Sequence, residues 1–230
     1  MSAEFDKFSK DYENLVTDPV RTSFGGGSSE FFHTRKMELL LRFLKRRDMQ
    51  PSKMSWLDVG CGQGELLRLG SGHFRESYGC DLSEGMLAAA SYGIEVRPQI
   101  AATSIPFDSG TFDLVTAVCV YHHVLPKDRI GLTSEVWRVL KRGGMFVMIE
   151  HNPLNPVTKL VVSRVPLDKD AQLLSARAAR YLTSAAGLKP FPTEYFLYFP
   201  KSIYAKLGRI ENMLGWLPLG GQYASLALKQ

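Results

Sequence analysis

Two sets of residues in this chain have the types and spacing for chemistry. The first is Asp58-Val59-Gly60-Cys61-Gly62-Gln63-Gly64, an acid followed by three alternate glycines. Without Cβ atoms at Gly60, Gly62 and Gly64, the backbone can turn tightly and a ligand can approach it, while the unpaired N–H groups opening the next helix face the same point. The second is a pair of histidine-bearing segments, Tyr121-His122-His123 and Glu150-His151-Asn152-Pro153. Imidazole exchanges a proton near neutrality, so a site built there suits acid–base work.

The glycine spacing narrows the ligand. A pyrophosphate-binding loop shows G-x-G-x-x-G, its third glycine allowing close helix–strand packing, whereas this loop is G-x-G-x-G. Asp58, at the end of the preceding strand, would repel a pyrophosphate and attract an ammonium or sulfonium group. The ligand expected is nucleotide-like and cationic or zwitterionic. Asp81, in Tyr78-Gly79-Cys80-Asp81-Leu82-Ser83, closes a second apolar run and is placed to accept the hydroxyls of a ribose. Ser83 is a natural N-cap for a following helix.

The elements that must position these residues follow from periodicity. Short apolar runs at Trp56–Val59, Tyr78–Cys80, Leu114–Val120 and Met145–Ile149 alternate with helical stretches, the pattern of a parallel sheet covered on both faces. A helix is predicted over Phe31–Arg47 and another over Asp128–Lys141, with Gly143 and Gly144 stopping the second. A further helix is predicted over Ala171–Ala186, capped by Asp170 and ended by Gly187. Phe24-Gly25-Gly26-Gly27-Ser28-Ser29 reads as a flexible joint or a surface loop. Tyr195–Phe199 and Tyr223–Leu228 read as closing strands. The stretch between them, Ile203–Leu217, is too long for a hairpin turn and is predicted to hold an inserted helix, with packing, a substrate cover, a dimer contact or a membrane-surface element as its alternatives.

Leu57 to Leu67 resembles motif I of the class I S-adenosylmethionine-dependent methyltransferases. Asp81 in its strand, Pro106-Phe107-Asp108-Ser109-Gly110-Thr111-Phe112-Asp113-Leu114-Val115, and Val139-Leu140-Lys141-Arg142-Gly143-Gly144 resemble that family's later motifs in order, covering roughly residues 55–150. The resemblance implies an α/β fold: a Rossmann-like, seven-stranded, mostly parallel sheet with helices on both faces and an antiparallel C-terminal edge hairpin. It implies residues 1–50 as an N-terminal helical cap or lid and residues 51–230 as the methyltransferase domain, with an inserted segment at about 200–218. It implies S-adenosylmethionine (SAM) as cofactor, held by Asp58, Gly60, Cys61, Gly62, Gly64, Asp81, Leu82, Met86, Ala102 and Cys119. Many relatives carry an acid for the adenine amino group just before the position of Pro106. Here the stretch is Ala101-Ala102-Thr103-Ser104-Ile105, so adenine is expected against backbone and apolar groups, with Ser104 a candidate partner.

Methyl transfer is an in-line displacement, and a hydroxyl acceptor must also lose a proton. His123 or His151 is then the candidate general base and Tyr121 or Asn152 the group orienting the substrate, with a packing or capping role for His123 as the alternative. The two Asn-Pro pairs of Asn152-Pro153-Leu154-Asn155-Pro156 stiffen the loop that presents His151. This loop, Pro166-Leu167-Asp168-Lys169-Asp170 and Tyr195–Pro200 resemble a methyltransferase subgroup associated with bacterial cell-surface glycan and lipid pathways. The acceptor implied is a small molecule or a glycan- or lipid-linked group, methylated at oxygen. A nicotinamide-dependent oxidoreductase is disfavoured by Asp58 and the glycine spacing. A non-catalytic binder acting through residues 203–217, including membrane-surface contact there, is a further alternative.

The composition fits these expectations. With 230 residues, 45% hydrophobic and 22% charged, the chain can bury one substantial core. The net charge of +5 is scattered rather than clustered, which does not mark a nucleic-acid partner. Cys61, Cys80 and Cys119 lack metal-ligand spacing, and no metal or disulfide is expected. The N-terminus Met1-Ser2-Ala3-Glu4-Phe5-Asp6-Lys7 lacks the order of a signal peptide, and a cytoplasmic protein is expected.

Overall fold

The computed structural model describes residue 6 and residues 9–90 and 93–230. Met1 to Phe5, Lys7 and Phe8, at the head of the expected N-terminal cap, lie outside the described residues. One sheet organises the chain, in the order β3-β2-β1-β4-β5-β8 with β6 and β7 both on the outer side of β8. Strands β1 (Ser55–Val59), β2 (Glu76–Asp81), β3 (Glu95–Pro98), β4 (Phe112–Val118) and β5 (Leu140–His151) run parallel. Strand β8 (Gln222–Lys229) pairs antiparallel with β5, and the short strands β6 (Leu188–Pro190) and β7 (Glu194–Phe196) share its far edge. Among the described residues, eight strands thus fill the seven places expected, because the outermost strand is interrupted.

The central strands are buried on both faces, so successive residues feed two different cores. Trp56, Leu114, Met145, Val147 and Ile149 pack against Leu39, Leu40, Phe43 and Leu44 of the Glu30–Arg46 helix on one side. Leu57, Val59, Val115, Phe146 and Met148 meet Leu132 and Val136 of the Arg129–Val139 helix on the other. From β1 the chain proceeds outward through β2 to β3, then returns to β4 on the opposite side of β1. This reversal leaves a crevice beyond the carboxyl ends of β1 and β4, where ligands bind in open α/β sheets.

Several boundaries differ from the expectations. The Arg129–Val139 helix stops before the glycines, and Leu140 already begins β5. Gly143, at φ +76°, instead lies within the irregular start of β5, where the register against β4 shifts between Phe112 and Leu114. The helix predicted from Ala171 starts at Ala176, and Ser175 rather than Asp170 caps it, its Oγ accepting the Ala178 N–H at 3.2 Å. The expected joint at Phe24–Ser29 is partly a helix end: Pro19–Gly25 is helical and Gly26, at φ +64°, closes it in the left-handed conformation.

The inserted helix spans Lys201–Met213. Its buried Glu211 pairs with the buried Arg35 and accepts N–H bonds from Tyr198 (3.0 Å) and Phe199 (3.2 Å), which fastens the insertion to the body of the domain. Among the described residues, no helix is long and apolar enough to cross a membrane.

Candidate functional site

The glycine loop is built by backbone geometry. Gly60, Gly62 and Gly64 sit at φ +69°, +55° and +78°, a region disfavoured for residues with a Cβ. At Gly60 a Cβ would come within 2.5 Å of Val120 Cγ2, so the close approach of β1 and β4 at the crevice also requires glycine. Gly60 donates its N–H to the Cys80 carbonyl at 2.7 Å, and Gly62 donates to Asp81 Oδ2 at 2.9 Å. The other carboxylate oxygen of Asp81 accepts the Ser83 N–H at 2.9 Å. Each oxygen keeps accepting capacity, as a pair of ribose hydroxyls would need. Ser83 caps the following helix as expected, accepting the Met86 N–H at 3.2 Å.

A cleft opens beside this loop, walled by Val59, Gly60, Leu82, Ala102, Val120, Val124 and Leu132, with Asp81, Gln99 and His123 as its polar groups. An apolar slot with a few convergent polar groups fits an adenosyl moiety. Of the residues expected around the cofactor, Gly60, Asp81, Leu82 and Ala102 line the cleft. Cys61 and Met86 are buried. Asp58 is also buried, its Oδ1 accepting the Thr116 hydroxyl at 2.6 Å, while Thr116 accepts the Trp56 indole N–H at 2.8 Å. Burial pushes the Asp58 carboxyl up to about 7, against the Thr116 hydrogen bond and the Lys36 charge. Gln99 was not identified from the sequence. It directly follows β3, donates its N–H to the Asp81 carbonyl at 2.8 Å and its Nε2 to the Ser104 carbonyl at 3.1 Å. Its place at a carboxyl strand end is the signal that points to it. The N-terminal segment lies against the same loops: Asp6 accepts the Ser83 hydroxyl at 2.6 Å, and Gln63 Nε2 donates to the Ser9 carbonyl at 2.7 Å.

The ends of β4 and β5 are organised by side chains. Glu150, fully buried, accepts the Val120 and Tyr121 N–H groups through one oxygen at 2.9 and 2.7 Å, and holds His122 Nδ1 through the other at 2.6 Å. Asp168, on the turn Pro166–Asp168, places Oδ1 3.4 Å from Nε2 of both His122 and His123. Burial disfavours the His122 charge, yet Glu150 and Asp168 raise its pKa to about 10, so this ring is an imidazolium at neutral pH. Burial lowers His123, which Asp168 partly offsets. The His151 ring centroid stands 5.1 Å from that of His122, and its Nδ1 is 3.5 Å from Gln222 Nε2. Cys119, in the left-handed conformation at φ +58°, lies 3.7 Å from Lys36 Nζ and 3.4 Å from Gln222 Nε2. Burial pushes its thiol up, but Lys36 and His151 outweigh that and bring it to about 7.

The structure therefore gathers His122, His123 and His151 and adds Glu150 and Asp168. It places the two expected substrate-orienting groups elsewhere. Tyr121 is completely buried, its hydroxyl 3.0 Å from Thr133 Oγ1. Asn152 is likewise buried, donating to the Pro218 and Gly220 carbonyls at 3.1 and 2.8 Å, and so clamps the loop before β8.

Residues 57–148 match the family model described as a methyltransferase domain. The chain is 31% identical over 157 residues to a demethylmenaquinone methyltransferase of Symbiobacterium thermophilum, covering 64% of this chain and 57% of that protein. It is 36% identical over 109 residues to the uncharacterized methyltransferase YcgJ of Bacillus subtilis, covering 44% and 42% respectively. The chain thus spans about half the length of these curated relatives. A solved SAM-dependent methyltransferase of Thermotoga maritima, described as a possible histamine N-methyltransferase, shares the fold over 100% of both chains with a TM-score of 0.70 at 18% identity. A phosphoethanolamine N-methyltransferase of Haemonchus contortus solved with SAM bound has a TM-score of 0.58 at 20% identity, covering 84% of this chain and 52% of that one. Together with the glycine loop, Asp81 and the apolar slot beside them, these matches identify residues 57–148 as a methyltransferase domain, set in the fold of the class I SAM-dependent methyltransferases, with SAM as its cofactor.

Proposed function

We propose that the chain transfers the SAM methyl group to a hydroxyl oxygen of a small-molecule or glycan- or lipid-linked acceptor, with His151 taking the hydroxyl proton. The observation that carries this reading is the cluster of proton-carrying side chains at the ends of β4 and β5, which meets the cofactor cleft at His123. SAM supplies an electrophilic methyl group. The chain must hold the acceptor in line with it and remove a proton as the new bond forms.

Among the three histidines, His122 is enclosed between two carboxylates and already carries its proton at neutral pH. His123 faces Asp168 through Nε2. His151 is partly buried, and its ring nitrogen makes a long 3.5 Å contact with a neutral amide. That leaves His151 the best placed of the three to accept a proton from a substrate.

Three of the relatives named above carry different acceptors in their names, and the matched segment ends at residue 148, before Glu150, His151 and Asp168. The acceptor is therefore read from this cluster. Replacing His151 by alanine is expected to lower turnover by about 10²–10⁴-fold, while SAM affinity measured by calorimetry stays within a few-fold. An unchanged rate would remove His151 from the mechanism.

A further inference from the structure

Asp168 stands at the same distance from two imidazoles, and both contacts are long. On its Glu150 side, the His122 ring closes to 2.6 Å. On its Asp168 side the separation is 3.4 Å, and His123 repeats that value with the same oxygen. A charge-assisted N–H···O contact normally closes to about 2.7–2.9 Å. Two ligands sharing one tetrahedral ion, with bonds of about 2.1 Å, stand about 3.4 Å apart.

The three atoms His122 Nε2, His123 Nε2 and Asp168 Oδ1 lie within 4.8 Å of one another. We propose that they form a three-ligand site for a divalent transition ion of the zinc type, with a fourth place left open. Two imidazoles and one carboxylate form a donor set suited to such ions, and three protein ligands with one open position are the usual arrangement of a catalytic rather than a structural site. Binding would release the Nε2 proton that His122 carries in the metal-free chain.

The surroundings support the assignment independently of the three ligands. Metal-bound imidazoles commonly donate their other ring nitrogen to a carboxylate, which fixes the ring and its tautomer. Glu150 provides that bond to His122 Nδ1 and is itself fixed by two backbone N–H groups. His123 is also part of the cofactor cleft wall, so the site borders the space where the methyl group would be delivered. No compact motif marks this site in the sequence, because His122 and His123 follow β4 whereas Asp168 comes from a turn well beyond β5.

The role of the ion rests on the function proposed above. An acceptor hydroxyl at the open position would become more acidic, its proton passing to His151 as its oxygen bonds the methyl carbon and the carbon–sulfur bond breaks with both electrons left on sulfur.

The site can be tested without any acceptor. Full-length chain stripped with a chelator is titrated with Zn²⁺ by calorimetry and with Co²⁺ by visible absorption, and SAM binding is measured on the same samples to report an intact fold. One equivalent of each ion should bind, with the intense absorption of low-coordinate Co²⁺. Asp168→Asn and, separately, His123→Asn should each weaken binding at least tenfold while SAM still binds. Glu150→Gln, which alters the carboxylate behind His122, should weaken it by about 10–100-fold. Absence of saturable one-to-one binding overturns the proposal, as does wild-type affinity in both Asp168→Asn and His123→Asn. Loss of SAM binding by the unmodified chain would instead strike the methyltransferase reading, so the two failures are distinguishable.

Discussion

At the carboxyl ends of β1 and β2 the chain builds its site from backbone. Gly60, Gly62 and Gly64 hold positive φ, and N–H groups of Gly62 and Ser83 set the Asp81 carboxylate. At the ends of β4 and β5 it uses side chains, with Glu150, His122, Asp168 and His123 in one connected row. The first construction is sensitive to any added Cβ. The second is sensitive to the loss of a single charge. The two ends should therefore fail in different ways when mutated, one through binding and the other through folding.

The largest expected effect is at the acceptor end. Glu150→Ala removes the partner of the His122 imidazolium and of two backbone N–H groups in a fully buried setting. Deleting one member of a buried ion pair costs about 3–5 kcal/mol. Urea unfolding should show that loss, and a loss below 1 kcal/mol would mean that the row is not what holds the strand ends together.

Gly60→Val should do the opposite. The φ of +69° and the approach of Val120 leave no room for a branched side chain at the loop. SAM affinity should fall by at least about a hundredfold, equivalent to about 2.7 kcal/mol, with a smaller change in unfolding free energy. Wild-type affinity in that variant would show that the backbone cradle is not the cofactor site.

The same contrast explains what could be read in advance. A backbone cradle needs glycine at fixed spacing, and that need is local, so Gly60, Gly62, Gly64 and Asp81 stand out from the sequence. The row at the other end is assembled by the sheet. Glu150 and His122 come from neighbouring strand ends, and Asp168 from a turn beyond, with no short-range pattern to announce it. Tyr121 and Asn152 were expected in the crevice because their neighbours are there, yet one turns into the core and the other back to the Pro218–Gly220 loop. Strand ends are legible, but the face a side chain takes just beyond them depends on the turn that follows. The Gly143-Gly144 expectation failed for a related reason: a glycine pair reads as a helix stop, and here it serves the irregular start of a strand.

A smaller effect distinguishes the two ends by pH. The folded chain holds the Asp58 proton up to a pKa of about 7, well above the ordinary carboxylate range, because burial disfavours the charge. The folded state therefore binds this proton more tightly than the unfolded state does. Its contribution to stability is complete at acid pH and is lost as pH rises from about 4 through about 7. Asp58→Asn keeps an oxygen for the Thr116 hydroxyl and removes the titration. The difference in unfolding free energy between wild type and variant should move in the variant's favour from pH 4 to pH 8. A constant difference would place the Asp58 carboxylate in a more polar setting than its burial indicates.

The finest test lies at Cys119, where the two ends meet the N-terminal helix and β8. Lys36 of the Glu30–Arg46 helix and Gln222 of β8 converge on its sulfur, and the thiol titrates at about 7 because Lys36 and His151 outweigh its burial. Cys61 and Cys80 are buried among Asp58 and Asp81, and their thiols are pushed upward. Alkylation by iodoacetamide, followed by peptide mass mapping, should therefore label Cys119 ahead of the other two, with a rate midpoint near pH 7. Lys36→Met keeps much of the apolar stem and removes the charge, so the midpoint should rise while the order of labelling stays the same. If the midpoint does not move, Lys36 is not the cation that sets this thiol, and His151 alone must account for it. That outcome would tie Cys119 to the acceptor end and separate it from the N-terminal helix.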